Sequence, residues 1–349
     1  MQPRNRIFTP RDELIVPKIR ERHAPRARPR AGIGGRLRWG LVDRLGRERA
    51  GGEQHNLILD TFLNLLGTRN SHTLVTFSSA TVLMSHCAVG TGSTEPAVTD
   101  TALDAEVQRT NRTTSATVEN VGTGEYEWTI TWEFDFNEAN GNLTEWGIAS
   151  GASADLLVRE LFRDELGEPV TVTKTSDYKL RLTYTLTVTL SPMELTPGSF
   201  VIDGIGTING NYLFSGSTRS ADLHVWSLIA RGSVTTNIST SFIAIGGLAT
   251  TALTGPTSNV TIAQNMEAST FTASAFVEGV WERSVDAAFS TAKGNGTIAT
   301  IGVAMGGPTQ TDRVIGFGFV VDLADRFTKD DEHILTINDI ARFTWGRST

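Results

Sequence analysis

Polar and apolar residues alternate without a break from Glu125 to Phe136 and again from Asp177 to Leu190. In the first run Tyr126, Trp128, Ile130, Trp132, Phe134 and Phe136 share one face; Glu125, Glu127, Thr129, Thr131, Glu133 and Asp135 share the other. In the second, Tyr178, Leu180, Leu182, Tyr184, Leu186, Val188 and Leu190 face inward, and Lys179, Arg181, Thr183, Thr185, Thr187 and Thr189 face out. Successive side chains of an extended chain point to opposite faces, so both runs predict strands with one buried face. At the usual rise per residue the second would span ~45 Å, longer than an ordinary strand. If the two strands are neighbours, the outward carboxylates of the first meet Lys179 and Arg181 of the second.

A helical period occurs once. Arg38–Gly46 reads as the start of a hairpin. Asn56 then stands as an N-cap before Leu57, Ile58, Leu59, Phe62, Leu63, Leu65 and Leu66, with Gly67 as the stop. This predicts one short helix over 56–66 inside a hairpin-plus-helix segment, 37–84. Three ordered matches suggest a repeat. Cys87-Ala88-Val89-Gly90 resembles Ile243-Ala244-Ile245-Gly246, the Gly141–Ala149 stretch resembles Gly296–Ala304, and Arg181-Leu182-Thr183-Tyr184 resembles Arg342-Phe343-Thr344-Trp345. They predict two copies of one β-module, 85–191 and 241–349, joined by a connector over 192–240 with hairpins such as Phe200–Leu213. The predicted fold class is mainly β: two similar antiparallel β-sandwich modules, an extended basic N-terminal arm and one short helix. Exposed edges in such modules invite pairing with another chain.

Charge sharpens the picture of the arm. The 349-residue chain has a net charge of -7, yet residues 1–50 hold 14 of its 31 Lys+Arg and 5 of its 38 Asp+Glu. The arm, taken as residues 1–36, interleaves Arg with Pro, Ala and Gly. Pro removes donors and Gly raises chain entropy, so the stretch is expected to stay extended until it meets a partner. Arg20, Arg22, Arg26, Arg28, Arg30, Arg36 and Arg38 are the candidate docking residues, aimed at an acidic surface on a neighbouring subunit. Nucleic acid is the weaker partner, because Phe8 is the one aromatic before Trp39 and a stacking platform is missing. Cys87 is the single cysteine, which leaves no internal disulfide and too few thiolates for a cysteine zinc site. No apolar run reaches 18 residues, so no membrane span is expected, and the N-terminus lacks the apolar core of a secretory signal.

Reactive constellations are sparse. His23, His55, His72, His86, His224 and His333 fall in no paired-ligand spacing, and the nucleophile-elbow, P-loop and complete dinucleotide fingerprints are missing. Gly90-Thr91-Gly92 and Gly204-Ile205-Gly206 read as turns. Glu133 and Asp135 lie two residues apart, about 7 Å on a strand, a separation that glycosidase carboxyls can have. They alternate with threonines on a face read as solvated, which gives neither the raised pKa of a general acid. The expectation is a non-enzymatic protein with no catalytic, cofactor-binding or metal-binding residue. Trp128, Trp132 and Trp146 could stack on sugars in an adhesin, although the alternation favours them as core.

Several segments taken as a set carry a family resemblance. They are Ala88–Pro96 (AVGTGSTEP), Thr99–Leu103 (TDTAL), Leu143–Ile148 (LTEWGI), Leu157–Phe162 (LVRELF) and Pro169–Val172 (PVTV), preceded by Gly52–Ile58 (GEQHNLI). Over residues 37–190 the chain resembles a module that recurs in virion proteins of tailed bacteriophages. The resemblance implies a structural or attachment role in the virion, in the neck, tail or capsid surface (a decoration protein included). It also implies other virion proteins as partners, a homo-oligomeric state and no catalytic residue. The second half departs from the pattern, with Thr300-Ile301-Gly302 in place of Glu145-Trp146-Gly147. The alternative from the binding class is a host-receptor adhesin or tail fibre that recognises surface glycan.

Overall fold

The computed structural model describes residues 30–68, 84–122, 124–202, 204–214, 243–255, 258, 260–306 and 314–348. The protein is mainly β, with several antiparallel sheets and one α-helix among the described residues. It divides into two compact units. The N unit comprises Gly32–Thr189 with Glu278–Trp281 and the chain end from Trp345; the C unit comprises Met1–Ala31, Leu190–Val277 and Glu282–Thr344, so the first two residues of β1 and the last two of β12 are assigned to it.

The N unit holds β1 (Arg30–Asp43), β2 (Glu48–His55), β3 (Leu57–Ile58), α1 (Asp60–Thr68), β4 (His86–Gly90), β5 (Glu106–Thr110), β6 (Thr113–Gly122), β7 (Glu125–Phe134), β8 (Gly141–Leu143), β9 (Glu145–Ala149), β10 (Leu156–Leu161), β11 (Val172–Lys174) and β12 (Tyr178–Ser191). One sheet is ordered β6-β7-β12-β1 with β2 beside β1, a second β3-β10-β9-β4-β5, and β8 pairs with β11. Trp128, Trp132, Phe134, Leu182 and Tyr184 point inward and are almost fully buried. The ring of Trp146 on β9 lies 6.1 Å from that of Tyr184 on β12, so the two sheets pack face to face as a sandwich.

The C unit holds β13 (Thr196–Ile202), β14 (Gly206–Phe214), β15 (Ile243–Ala249), β16 (Thr270–Ala273), β17 (Glu282–Phe289), β18 (Gly296–Ile298), β19 (Thr300–Gly306), β20 (Val314–Val321), β21 (Phe327–Lys329) and most of β22 (Leu335–Arg347). Its sheet β13-β14-β20-β19-β15 faces β16-β17-β22 through Phe214, whose ring meets Phe343 edge-on at 6.0 Å. Eight strands in chain order, β4 and β6–β12, thus have counterparts in β15–β22. Five pairings recur: β4–β9 as β15–β19, β9–β10 as β19–β20, β6–β7 as β16–β17, β7–β12 as β17–β22, and β8–β11 as β18–β21.

Several sequence expectations change. The helix starts at Asp60 rather than 56, because Leu57 and Ile58 pair with Arg159 and Val158 as a short strand. Residues 30–36, read as part of the arm, lie inside β1, where Ala31 and Ile33 are fully buried. Gly35 belongs there for close approach: a Cβ would sit 2.1 Å from the Tyr184 hydroxyl. Inside the supposed connector, β13 and β14 complete the C unit's five-stranded sheet. Two of the repeat matches shift register. Cys87 lies opposite Ile148, and the matching partner of Val303 is Gly246, not Ile243. Arg181 lies opposite Glu133, and the matching partner of Ala288 is Thr336, not Arg342.

Candidate functional site

The outward face of β6-β7-β12-β1 carries one of the N unit's charge networks. Its middle is a threonine ladder, with Thr129 and Thr185 hydroxyls 3.0 Å apart and those of Thr131 and Thr183 also 3.0 Å apart. At one end Arg181 pairs across the strands with Glu133. Lys179 Nζ reaches the Glu133 carboxylate at 2.7 Å and Arg181 reaches it at 3.1 Å. Lys179 also approaches Asp135 at 3.5 Å, and Arg112 holds Asp135 at 3.2 Å and Glu138 at 3.0 Å. Burial alone would raise the Glu133 pKa, but hydrogen bonds from Lys179 and Arg181 hold it below the ordinary value. Asp135 is lowered too, first by the Phe136 backbone N–H. Both carboxylates of the glycosidase-like pair therefore favour the charged form, the reverse of a general acid. Glu133 and Thr131 are nearly buried, so the face is less solvated than its alternation with threonine suggested.

At the opposite end two carboxylates meet. Glu119 on β6 stands directly opposite Glu127 on β7. Arg36 on β1 reaches Glu127 at 3.5 Å and Glu53 at 3.8 Å. Arg38 is committed elsewhere, its Nη2 donating to both Glu48 carboxylate oxygens at 2.9 Å. Like charges in register across strands repel. Among the described residues β7 is the one strand paired with β6, so β6 presents an open edge beside this acidic pair.

Of the predicted docking residues, Arg20, Arg22, Arg26 and Arg28 lie outside the described residues. Arg30 opens β1 on its exposed side. Arg36 and Arg38 belong to β1 itself, so they are part of the folded sheet rather than of the arm. The glycan-stacking reading of Trp128, Trp132 and Trp146 is overturned: they are 2 %, 0 % and 0 % exposed and present no ring face to a ligand. The alternation of β7 places Trp128 and Trp132 on the core face. Cys87 is fully buried, and burial pushes its thiol well above the ordinary range. The adjacent His86 imidazole is lowered by burial and by the Arg109 charge; its Nδ1 sits 2.7 Å from the Ser85 hydroxyl.

Sequence reasoning missed two buried polar devices. In the first, the Glu145 carboxylate accepts backbone N–H bonds from Gly92 at 2.9 Å, Ala105 at 2.8 Å and Asp104 at 3.1 Å. Arg159 pairs with it at 3.0 Å and with Asp100 at 2.5 Å and Asp104 at 3.1 Å. This cluster pins the loop from Gly92 to Ala105. It also explains the Gly90-Thr91-Gly92 motif, because a Cβ at Gly92 would lie 2.4 Å from Glu145 Oε1. In the second, buried Lys174 donates to Asn140 Oδ1 at 2.9 Å and to the Asp135 carbonyl at 2.8 Å. Lys329 repeats it in the C unit, donating to Asn295 Oδ1 at 2.7 Å and to the Asp330 carbonyl at 2.9 Å. Burial lowers the pKa of both lysines. Lysines and asparagines at one shared offset of 155 residues were the signal that could have found this pair.

No family model matches the chain, and neither a curated protein nor a solved structure matches it. An open strand edge offers unpaired backbone donors and acceptors, and the carboxylates beside it favour a cationic, extended partner.

Proposed function

We propose that this protein is a non-enzymatic structural component of a tailed bacteriophage particle, in its neck, tail or capsid surface, that docks on other virion subunits through its N-terminal arm. The observation that carries the reading is the open β6 edge beside the facing Glu119 and Glu127, in a chain whose N-terminus bears the opposite charge. The family resemblance of residues 37–190 supports the virion, and assembly through open edges suits a body built of sandwich units. Docking through the arm would let it wrap a wide surface of the neighbouring subunit.

The test is mass spectrometry of purified particles, made with the full chain and with residues 1–29 deleted. The deletion must stop at 29, because Ala31 and Ile33 are fully buried in β1. The full chain is expected in the particles in stoichiometric amount and the truncated, folded body is expected to be lost from them. Absence of the full chain from the particles refutes the virion assignment; normal incorporation of the truncated chain refutes docking through the arm.

A further inference from the structure

We infer that residues 278–281 and 345–348 form a two-part latch on α1, and that α1 is held in place only while the β17–β22 ladder of the C unit is formed. This goes beyond the assembly reading above and does not rest on it.

The N unit is discontinuous. Between Thr189 and the residues that complete it, Glu278–Trp281 and the chain from Trp345, runs the chain of the C unit. The completing residues bear on α1 and its approach. Trp345 is nearly fully buried, and its indole N–H donates to the Leu63 carbonyl at 2.8 Å. Arg347 Nε donates to the Ile58 carbonyl at 2.6 Å, its Nη2 pairs with Asp60, and its guanidinium lies 5.2 Å from the centre of the Trp281 ring. Asn64 of α1 holds the other part of the latch. Its Oδ1 accepts from Trp281 Nε1 at 2.9 Å and from the Gly279 N–H at 3.2 Å, and its Nδ2 donates to Glu278 at 3.0 Å. Beside the helix, the Ser348 N–H donates to the Ile33 carbonyl of β1 at 2.8 Å. A Cβ on Gly34 would come within 3.1 Å of the Ser348 hydroxyl oxygen, so a glycine of β1 also makes room for the latch.

α1 needs this support. It has nine residues, too few to stay helical alone. The bond from Trp345 to Leu63 spans a sequence separation of 282, and closing so long a loop is costly in entropy while the chain between is loose. A folded C unit removes most of that cost. Its β17 and β22 are paired as far as Glu282 opposite Thr344, and each of these residues is the immediate neighbour of one part of the latch. Once the ladder forms, Trp281 and Trp345 emerge side by side, joined by a bond from the Trp345 N–H to the Trp281 carbonyl at 3.0 Å. Both parts then reach α1 together, with the high effective concentration of a linked second site.

The dependence runs one way. The ladder from Glu282 to Phe289 and from Leu335 to Thr344 uses none of the latch residues, so α1 can open while the ladder stays closed. Opening the ladder separates the two parts of the latch and frees α1 with it. Although α1 is made early in synthesis, it stays open until residues 345–348 exist and the ladder behind them has formed.

Amide exchange of the full-length protein, read by mass spectrometry over 60–68, over 282–289 with 335–344, and over 125–134 with 178–189, tests this. α1 is expected to exchange at least as fast as the β17–β22 ladder. Arg347→Ala removes the contacts with Ile58, Asp60 and the Trp281 ring; it should speed exchange of α1 about tenfold and leave the ladder unchanged. Ile337 is buried on β22 opposite Ala287; Ile337→Ala should speed the ladder about a hundredfold and carry α1 to at least the same rate. The β7–β12 ladder makes none of these bonds and is the control for global unfolding; it should hold its rate in both variants. The proposal is overturned by an α1 that exchanges more slowly than the β17–β22 ladder in any of the three proteins, or by an α1 unmoved in Arg347→Ala. It is equally overturned if Arg347→Ala loosens the β17–β22 ladder as much as α1, or if the control loosens as much as α1 in either variant.

Discussion

The N and C units share a frame and differ in what fills it. Both keep the corner where β8 meets β11 and β18 meets β21, clasped by Lys174 on Asn140 and Lys329 on Asn295. Positive backbone angles coincide there as well: Gly141 and Gly296 have φ of 145° and 132°, and Ala139 and Gly294 have 51° and 72°. Inside, the two diverge. Trp132 sits opposite Leu182, whereas Ala287 sits opposite Ile337. Glu145 and Arg159 occupy the places that Thr300 and Gly318 take in the C unit. There the Thr300 hydroxyl donates one bond, 2.8 Å, to the Thr251 carbonyl, where Glu145 and Arg159 make a charged cluster. The lesson is that pairing plus a small polar clasp specifies this module. Core volume and the anchoring of the loop after β4 or β15 are free to vary around it.

The widest difference is also the easiest to break. Arg159→Leu strands the Glu145 carboxylate at 0 % exposure. Removing one partner of a buried charge pair costs about 3–5 kcal/mol, and the N unit should lose that much while the C unit loses none. Tryptophan fluorescence during denaturation reads the N unit selectively, since Trp39, Trp128, Trp132, Trp146, Trp281 and Trp345 all belong to it, six of the chain's seven. The double variant Glu145→Thr with Arg159→Gly imports the C unit's residues and should be less damaging than Arg159→Leu alone, because no orphan charge remains. A cost below about 1 kcal/mol for Arg159→Leu would mean that the cluster does not anchor the loop.

The shared clasp gives the second contrast. Lys174→Met and Lys329→Met each remove charge-assisted hydrogen bonds and should each cost about 2 kcal/mol in their own unit. The two costs should agree within about a factor of two, the ordinary spread for one interaction in two contexts. Calorimetry that finds one substitution harmful and the other silent would show that the corner is not a common element.

How far this was legible from sequence follows from the kind of signal each element leaves. The strands β7 and β12 were readable because one-sided burial enforces a period of two, and the Glu133 contacts with Lys179 and Arg181 followed once those strands were paired. The equivalence of Gly141 with Gly296 was readable because a left-handed backbone demands a small residue in both copies. β1 was misread at its start because glycines there serve the close approach of Tyr184, and Gly-rich composition alone looks like loop. The Glu145–Arg159 cluster was opaque: its members, Asp100, Asp104, Glu145 and Arg159, come from separate segments, and nothing local marks a carboxylate that will be buried.

The smallest effect concerns acid. Among the described residues, Asp43, Asp104, Glu133 and Asp135 of the N unit have lowered pKa values, against Asp330 in the C unit. A carboxylate whose folded pKa is depressed contributes stability that is fully present above its unfolded value and is lost as pH falls through the folded one. For Glu133 the ordinary value is 4.5, so its contribution holds at neutral pH and fades below about pH 4.5. The C unit has Ala288 at the corresponding place on β17 and lacks this dependence there. Denaturant melts between pH 7 and pH 3, followed by tryptophan fluorescence, should show the N unit losing stability on acidification. Glu133→Gln should remove up to about 1 kcal/mol at neutral pH and flatten that slope, since Lys179 and Arg181 then face a neutral amide at every pH. An unchanged slope in Glu133→Gln would place the acid sensitivity on the loop carboxylates instead, and would leave the charged end of the sheet as a solvated feature with no part in holding β7 to β12.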